Sequence, residues 1–335
     1  MYRLLSTVAC VFGCPLCLGG FAVGSRGQTM TPAAQLESLR KATSLDREGM
    51  PAWHLRVSFQ LYSLEGKPSE TGTLEEWWTS PTVHRTVVTA PSIAHWPGGT
   101  DRDSVLVATL LRLITHPVGD LSRFPGRQVS VGDRTFGQVA LTCFNSAYAM
   151  PKGSNAPAND SDSFCVLPQT YDLRLVLRAN YGVVARSHPG EFFNTRLGLD
   201  TMLRYNGLAA ISGHVETLET LDPVKFPASV ELDPLSDEQL GGRLTGGVLE
   251  RESTMGGERG FPIDTSPKRP GGAVMLHLIL SKQGKAKSVV VIASSDQTSS
   301  DAIVRSIAEL RWTPCRLDGQ PVERELTFIL FPGAV

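Results

Sequence analysis

The sequence predicts an α+β protein: a large antiparallel sheet with helices in the N-terminal half, then a small ββαβ module towards the C-terminus. Three observations carry this prediction. Apolar residues alternate with polar ones from Leu55 and again from Val274, the period of half-buried strands. Few segments show helical spacing, the clearest being 103–115 and the one that follows Ser299. Gly (32) and Pro (22) together make about one residue in six, which suits a turn-rich sheet protein better than a helical bundle.

The elements follow in order. Thr31-Pro32 forms a cap followed by a proline at the first helical position, and Leu36, Leu39 and Leu45 continue at helical spacing until Gly49. Leu55, Val57, Phe59 and Leu61 then alternate with His54, Arg56, Ser58 and Gln60, a strand with one buried face. Glu65-Gly66-Lys67 turns the chain, 71–79 runs back and 83–89 returns, giving an antiparallel meander. A helix over 103–115 ends at His116-Pro117, and further strands are expected at 136–144, 172–178, 181–187, 191–197 and 208–218. The first domain is therefore drawn over 29–221. Repeated Pro and Gly-Gly steps make 222–270 a linker, with room for a short strand near 244–249. The second domain, 271–335, opens with Val274, Leu276, Leu278 and Leu280 in alternation. A turn at Gly284, a strand at 288–293, a helix capped at Ser299-Ser300-Asp301 and a last strand at 322–330 complete it.

Residues 1–24 stand apart. One Arg3 precedes an uncharged apolar run from Leu4 to Val23, roughly 20 residues and long enough to span a bilayer. It reads as a cleaved signal or as an uncleaved anchor, and either places the rest of the chain outside the cytoplasm, in the periplasm or cell envelope. Any membrane contact would then be through an uncleaved leader. Cys10, Cys14 and Cys17 fall in this leader, leaving Cys143, Cys165 and Cys315. Exported cysteines tend to pair, and Cys143 and Cys165 flank a polar loop at 147–162. A bridge between them is expected to stabilise by about 3 kcal/mol, with Cys315 left as a free thiol.

Charge excludes one class of partner. Lys and Arg (32) balance Asp and Glu (33) to a net charge of −1, so a phosphate-neutralising, nucleic-acid-binding surface is not expected. No catalytic or cofactor motif is present. The seven histidines are scattered, without HExxH or an i, i+4 pair, and GxSxG, GxGxxG and phosphate-loop patterns are absent. Neither an enzyme nor a cofactor or metal site is expected. Glu75-Glu76 and Trp77-Trp78 sit on a strand, so each pair divides between opposite faces. One indole belongs in the core and the other at the rim. A sharper reading has Trp77 or Trp78 line an apolar ligand cavity with Phe59 and Leu61.

Two resemblances add to this reading. The segment from 273 onward resembles the C-terminal domain of TonB-type energy transducers. The match is carried by Gly284 in the first turn, Val289 and Val291, Ser294-Ser295, Asp301-Ala302 opening the helix, and Leu310-Arg311-Trp312-Thr313-Pro314. Asp318-Gly319-Gln320-Pro321-Val322 and the closing strand complete it, and Phe261-Pro262 stands where that family has Tyr-Pro. The resemblance implies transmembrane transport through an outer-membrane receptor or other envelope protein, whose extended segment adds as a strand to the sheet edge. The edge residues are Val322, Glu323, Arg324, Leu326 and Phe328, and the charged ones either set the partner's charge or protect the edge from aggregation. The N-terminal half resembles, through 53–62, Gly72 to Trp78 and His84-Arg85, the LolA/LolB-type lipoprotein carriers. That implies a half-barrel, a curved antiparallel sheet holding helices over an apolar concavity, and an alternative role as carrier or sensor of a lipid or lipoprotein acyl chain.

Overall fold

The structure is a computed structural model that describes residues 30–80, 83–93, 101–120, 126–148, 161–178, 182–205, 207–222, 249–251, 274–294, 297–317 and 320–330. The expected leader, its three cysteines, Phe261-Pro262, Gly319 and nearly all of the expected linker lie outside the described residues. The chain divides into two compact units, Met1–Thr31 and Pro32–Val335. The second holds all three sheets of the described residues.

The first helix, α1, spans Pro32–Thr43. Strands β1 (Trp53–Tyr62), β2 (Pro68–Ser80) and β3 (Val83–Thr89) form the meander, and α2 (Arg102–Thr115) follows. Asp101 caps α2 by accepting from Ser104 N at 2.9 Å. Seven strands then run as hairpins: β4 (Arg127–Phe136), β5 (Val139–Tyr148), β6 (Ser161–Val166), β7 (Leu173–Leu177), β8 (Gly182–Phe192), β9 (Thr195–Tyr205) and β10 (Leu208–Thr220). All ten make one open sheet in the order β3-β2-β1-β10-β9-β8-β7-β6-β5-β4, antiparallel throughout. α1 touches both β4 and β9, which stand five places apart in the sheet. Five places in a flat sheet span about 24 Å, and twelve residues of helix about 18 Å. The sheet therefore wraps round the helix, the curvature that a half-barrel needs.

The inner face of this sheet carries the core. Leu55, Val57, Phe59 and Leu61 pack with Leu106, Leu110 and Ile114 of α2 and with Leu36 and Leu39 of α1. Trp53 and Trp78 lie in this layer, stacked with ring centroids 5.6 Å apart, and Trp53 Nε1 donates to Leu45 O at 3.0 Å. The indole is thus buried without losing its hydrogen bond.

Several strands differ from the sequence expectation. β4 and β6 were not expected as strands. β4 is an edge strand with little burial and a central Gly132-Asp133, so it lacks the apolar alternation that marks a strand. β6 opens with Ser-Asp-Ser and reads as the end of a polar loop. The expected strand at 191–197 straddles a two-residue turn at Phe193-Asn194, both with positive φ (47° and 60°), the requirement of a hairpin turn. β8 runs through Pro189 because its pairing with β7 stops at Ala185, while its pairing with β9 continues to Phe192. Beyond Ala185 the strand has a free side, where a missing N–H is tolerated.

The second sheet begins at β12 (Val274–Leu280) and β13 (Ala286–Ser294), followed by α3 (Gln297–Glu309). A small sheet joins β11 (Leu249–Arg251), β14 (Cys315–Leu317) and β15 (Gln320–Val322), and β16 (Arg324–Leu330) completes a sheet of order β13-β12-β16. The expected last strand, 322–330, is thus broken at Glu323. The observed ββαβ order is retained, with the β14–β15 hairpin inserted before the final strand.

β12 is buried on both faces. Val274, Leu276, Leu278 and Leu280 pack with Ile303 and Ile307 of α3 and with Trp312. Met275 on the other face belongs to the same cluster as the large sheet's core, together with Ile292 and Ala293 of β13. Arg102 at the start of α2 fastens this contact. Its Nε donates to Ile292 O at 2.9 Å and its Nη1 to Tyr62 O at 2.8 Å. Burial lowers the Arg102 pKa, and the neighbouring Asp103 opposes that shift.

Candidate functional site

The residues of the expected edge strand separate. Val322 pairs with Cys315 in the small sheet. Arg324, Leu326 and Phe328 lie on β16, opposite Leu280, Leu278 and Leu276 of β12. Among the described residues β16 pairs with β12 alone, so its other side presents backbone donors and acceptors for a further strand. Glu323 does not stand at an exposed strand start. It is buried, and its carboxylate meets Lys287 Nζ of β13 at 2.6 Å. A carboxylate beside a strand break can be buried only with such a partner, so this charge is spent within the module.

Three of the module's motif residues, Gly284, Trp312 and Pro314, meet at the β12–β13 turn. Gly284 has φ +73°, and a Cβ added there would lie 2.0 Å from Trp312 O. Trp312 N donates to Gly284 O at 2.9 Å, and Lys285 bridges Arg311. Pro314 Cδ lies 3.5 Å from the same added Cβ position. The turn glycine and the Trp-x-Pro stretch thus lock the β12–β13 hairpin to the chain leaving α3. Asp301 lies exposed on α3.

The residues expected to line an apolar cavity divide between the two faces of the sheet. Phe59, Leu61 and Trp78 are packed into the inner core. Trp77 faces the other way, stacked on His54 with centroids 4.9 Å apart. His54 in turn contacts Glu75 at 3.0 Å, and Arg56 joins Glu75 to Glu216. This division follows from strand alternation, as does the separation of Glu75 from the buried Glu76.

What the outer face does hold is a groove of about 700 Å³ crossing β2, β1, β10, β9 and β8. Two cross-strand rows form its sides. One includes Thr73, Ser58, His214 and Asp200, and the other Gln60 and Ser212. Asp200 is hydrogen-bonded to both His188 and His214, the latter at 2.6 Å. The hydrogen bond to His188 is the main reason that its carboxyl is held below the ordinary 3.8.

Two further residues escaped the sequence reading. Arg186 and Thr201 are opposite each other on β8 and β9 and both are buried. A signal was available: Arg186 is in phase with Val184, a charge on the apolar side of a strand. Cys143 and Cys165, directly opposite on β5 and β6, form the expected disulfide.

Residues 259–330 match the family described as Gram-negative bacterial TonB protein C-terminal. The TonB C-terminal-like segment thus covers β12 to β16 and the motif cluster around Gly284. Two solved structures are similar to part of the chain. A LolA superfamily protein from Nitrosomonas europaea aligns at 4% identity over 56% of this chain and 94% of its own, with a TM-score of 0.31. A DUF1329 family protein from Desulfovibrio piger aligns at 9% identity over 59% of this chain and 95% of its own, with a TM-score of 0.34. No curated protein matches the chain. No described helix is long and apolar enough to cross a membrane.

Proposed function

We propose that this chain is a non-catalytic periplasmic protein of the cell envelope. Its TonB C-terminal-like segment binds a protein partner, such as an outer-membrane receptor, by strand addition at β16 in TonB-dependent transport. The observation that carries this is the family match over 259–330, supported by the one-sided pairing of β16. Strand addition uses backbone hydrogen bonds for affinity and alternate side chains for specificity. That mode suits an edge whose Glu323 is already neutralised by Lys287. The test is NMR titration of the full chain with extended peptides from receptor N-termini. Shifts should concentrate at 324–330 and in the facing residues of β12. Shifts confined to the large sheet, or none, would overturn the proposal.

A second reading, a carrier of an apolar ligand in the inner layer of the large sheet, is favoured by one observation. Arg186 and Thr201 place polar atoms without partners among apolar side chains there.

A further inference from the structure

On the inner side of the β8–β9 ladder an apolar pair is followed by a polar one. Val184 faces Leu203, and two residues along Arg186 faces Thr201. All four are buried, Arg186 to 2% and Thr201 to 1% exposure. Directly opposed residues of an antiparallel pair share a face and stand side by side. The two side chains therefore leave the ladder side by side, under a layer to which α1 and α2 both contribute.

Neither group is satisfied. Nε, Nη1 and Nη2 of Arg186 and Oγ1 of Thr201 all lack a hydrogen-bond partner. Burial pulls the Arg186 pKa from 12.5 to about 10, with no carboxylate opposing the shift. A group with that value is still a cation at neutral pH. Buried cations are ordinarily paired, because desolvation otherwise works against the fold. The wall beside Arg186 is bare backbone: a Cβ added at Gly198 would lie 2.8 Å from Arg186 Cβ and 3.1 Å from Nε. Donors thus gather on one side of the inner layer, and none of the described residues sets an acceptor against them.

The chemistry of the missing acceptor can be narrowed. It must be an anion, since the donors carry a positive charge. One cation balances one negative charge, which favours a monoanion over a phosphate dianion. A guanidinium offers parallel N–H groups in a plane, which match the two oxygens of a carboxylate, and the Thr201 hydroxyl can add a third bond. Val184, Leu203 and the surrounding core are apolar, so whatever follows the carboxylate must be apolar as well.

We propose that Arg186 and Thr201 form a buried carboxylate site that holds the head of an acyl-chain acid in the inner layer of the large sheet. This rests on the ligand-carrier reading and names the ligand's chemistry.

The test uses the full chain with three probes: decanoate, decanol and acetate. Binding is followed by calorimetry, by thermal unfolding and by the side-chain Nε–Hε NMR signal of Arg186. Decanoate should bind, raise the melting temperature and shift the Arg186 signal, and decanol should bind at least tenfold more weakly. In Arg186→Met decanoate affinity should fall at least tenfold. The ligand-free variant should melt higher than the wild type, because an unpaired buried charge is gone. Arg186→Lys keeps the charge without the planar fork and should bind more weakly than the wild type but more tightly than Arg186→Met. A purely structural arginine would give the opposite sign in the ligand-free melting temperature. Equal affinity for decanoate and decanol, or undiminished decanoate binding by Arg186→Met, would overturn the carboxylate site while leaving a carrier of apolar ligands intact. Binding of acetate as tight as that of decanoate, with the Arg186 shift, would support the carboxylate site and count against the carrier reading. No binding of any probe would overturn both.

Discussion

Gly284 is the residue on which the TonB C-terminal-like segment closes. Its positive φ and the carbonyl of Trp312 against its missing side chain leave no space for a Cβ. Gly284→Ala should therefore cost roughly 2 kcal/mol or more, seen as a lower midpoint in chemical denaturation of the full chain. Asp200 gives a test of a different kind. A carboxyl held below its ordinary 3.8 contributes stability above that value and loses it as pH falls through the lower folded value. The melting temperature of Asp200→Asn should therefore lie below that of the wild type at neutral pH, and the gap should close as the pH is taken below about 4. Single residues were unevenly legible. Gly284, Trp312 and Pro314 stood out through the resemblance of their segment to the TonB C-terminal domain. Arg186 was marked only by its phase with Val184, and what a charge on that face meets is fixed by strand partners that the local pattern does not contain.

At the scale of elements, the Cys143–Cys165 bridge ties β5 to β6 across a segment of 22 residues. Replacing both cysteines with alanine should lower stability by about 3 kcal/mol in the chain-entropy account, as measured by urea unfolding. Reduction of the wild type should approach the same midpoint. The strands that were legible, β1, β10 and β12, bury one or both faces and so carry the period in their composition. Those that were not, β4 and β6, are an exposed edge and a short strand with a polar start. The turn at Phe193-Asn194 was hidden because an aromatic pair resembles strand interior, whereas the backbone there needs positive φ. The fold class rests on the period of buried faces and was readable. Strand ends rest on turn chemistry and pairing partners, which a local pattern does not contain.

At the scale of the whole molecule, the two sheets meet through Arg102, which reaches carbonyls of both β1 and β13. Arg102→Ala removes charged donors from two buried carbonyls, which should cost about 2 kcal/mol. Hydrogen exchange should report it as faster exchange in 286–294, with the β1–β10 seam left protected. The groove and the inner carboxylate site both depend on several strands at once, which is why no stretch of sequence announced either. One property of the sheet order bears on how such a protein responds to load. β1 and β10 are neighbours, and Trp53 at the start of one pairs with Thr220 at the end of the other. A pull applied between these residues enters the sheet at one end of a single antiparallel pair. It would break that pair's hydrogen bonds one after another, as a zip opens, instead of straining them all together. The seam is therefore mechanically soft along this line, and tension reaching Thr220 from the C-terminal side would open the large sheet from the Trp53 end before disturbing the hairpins of β4 to β9.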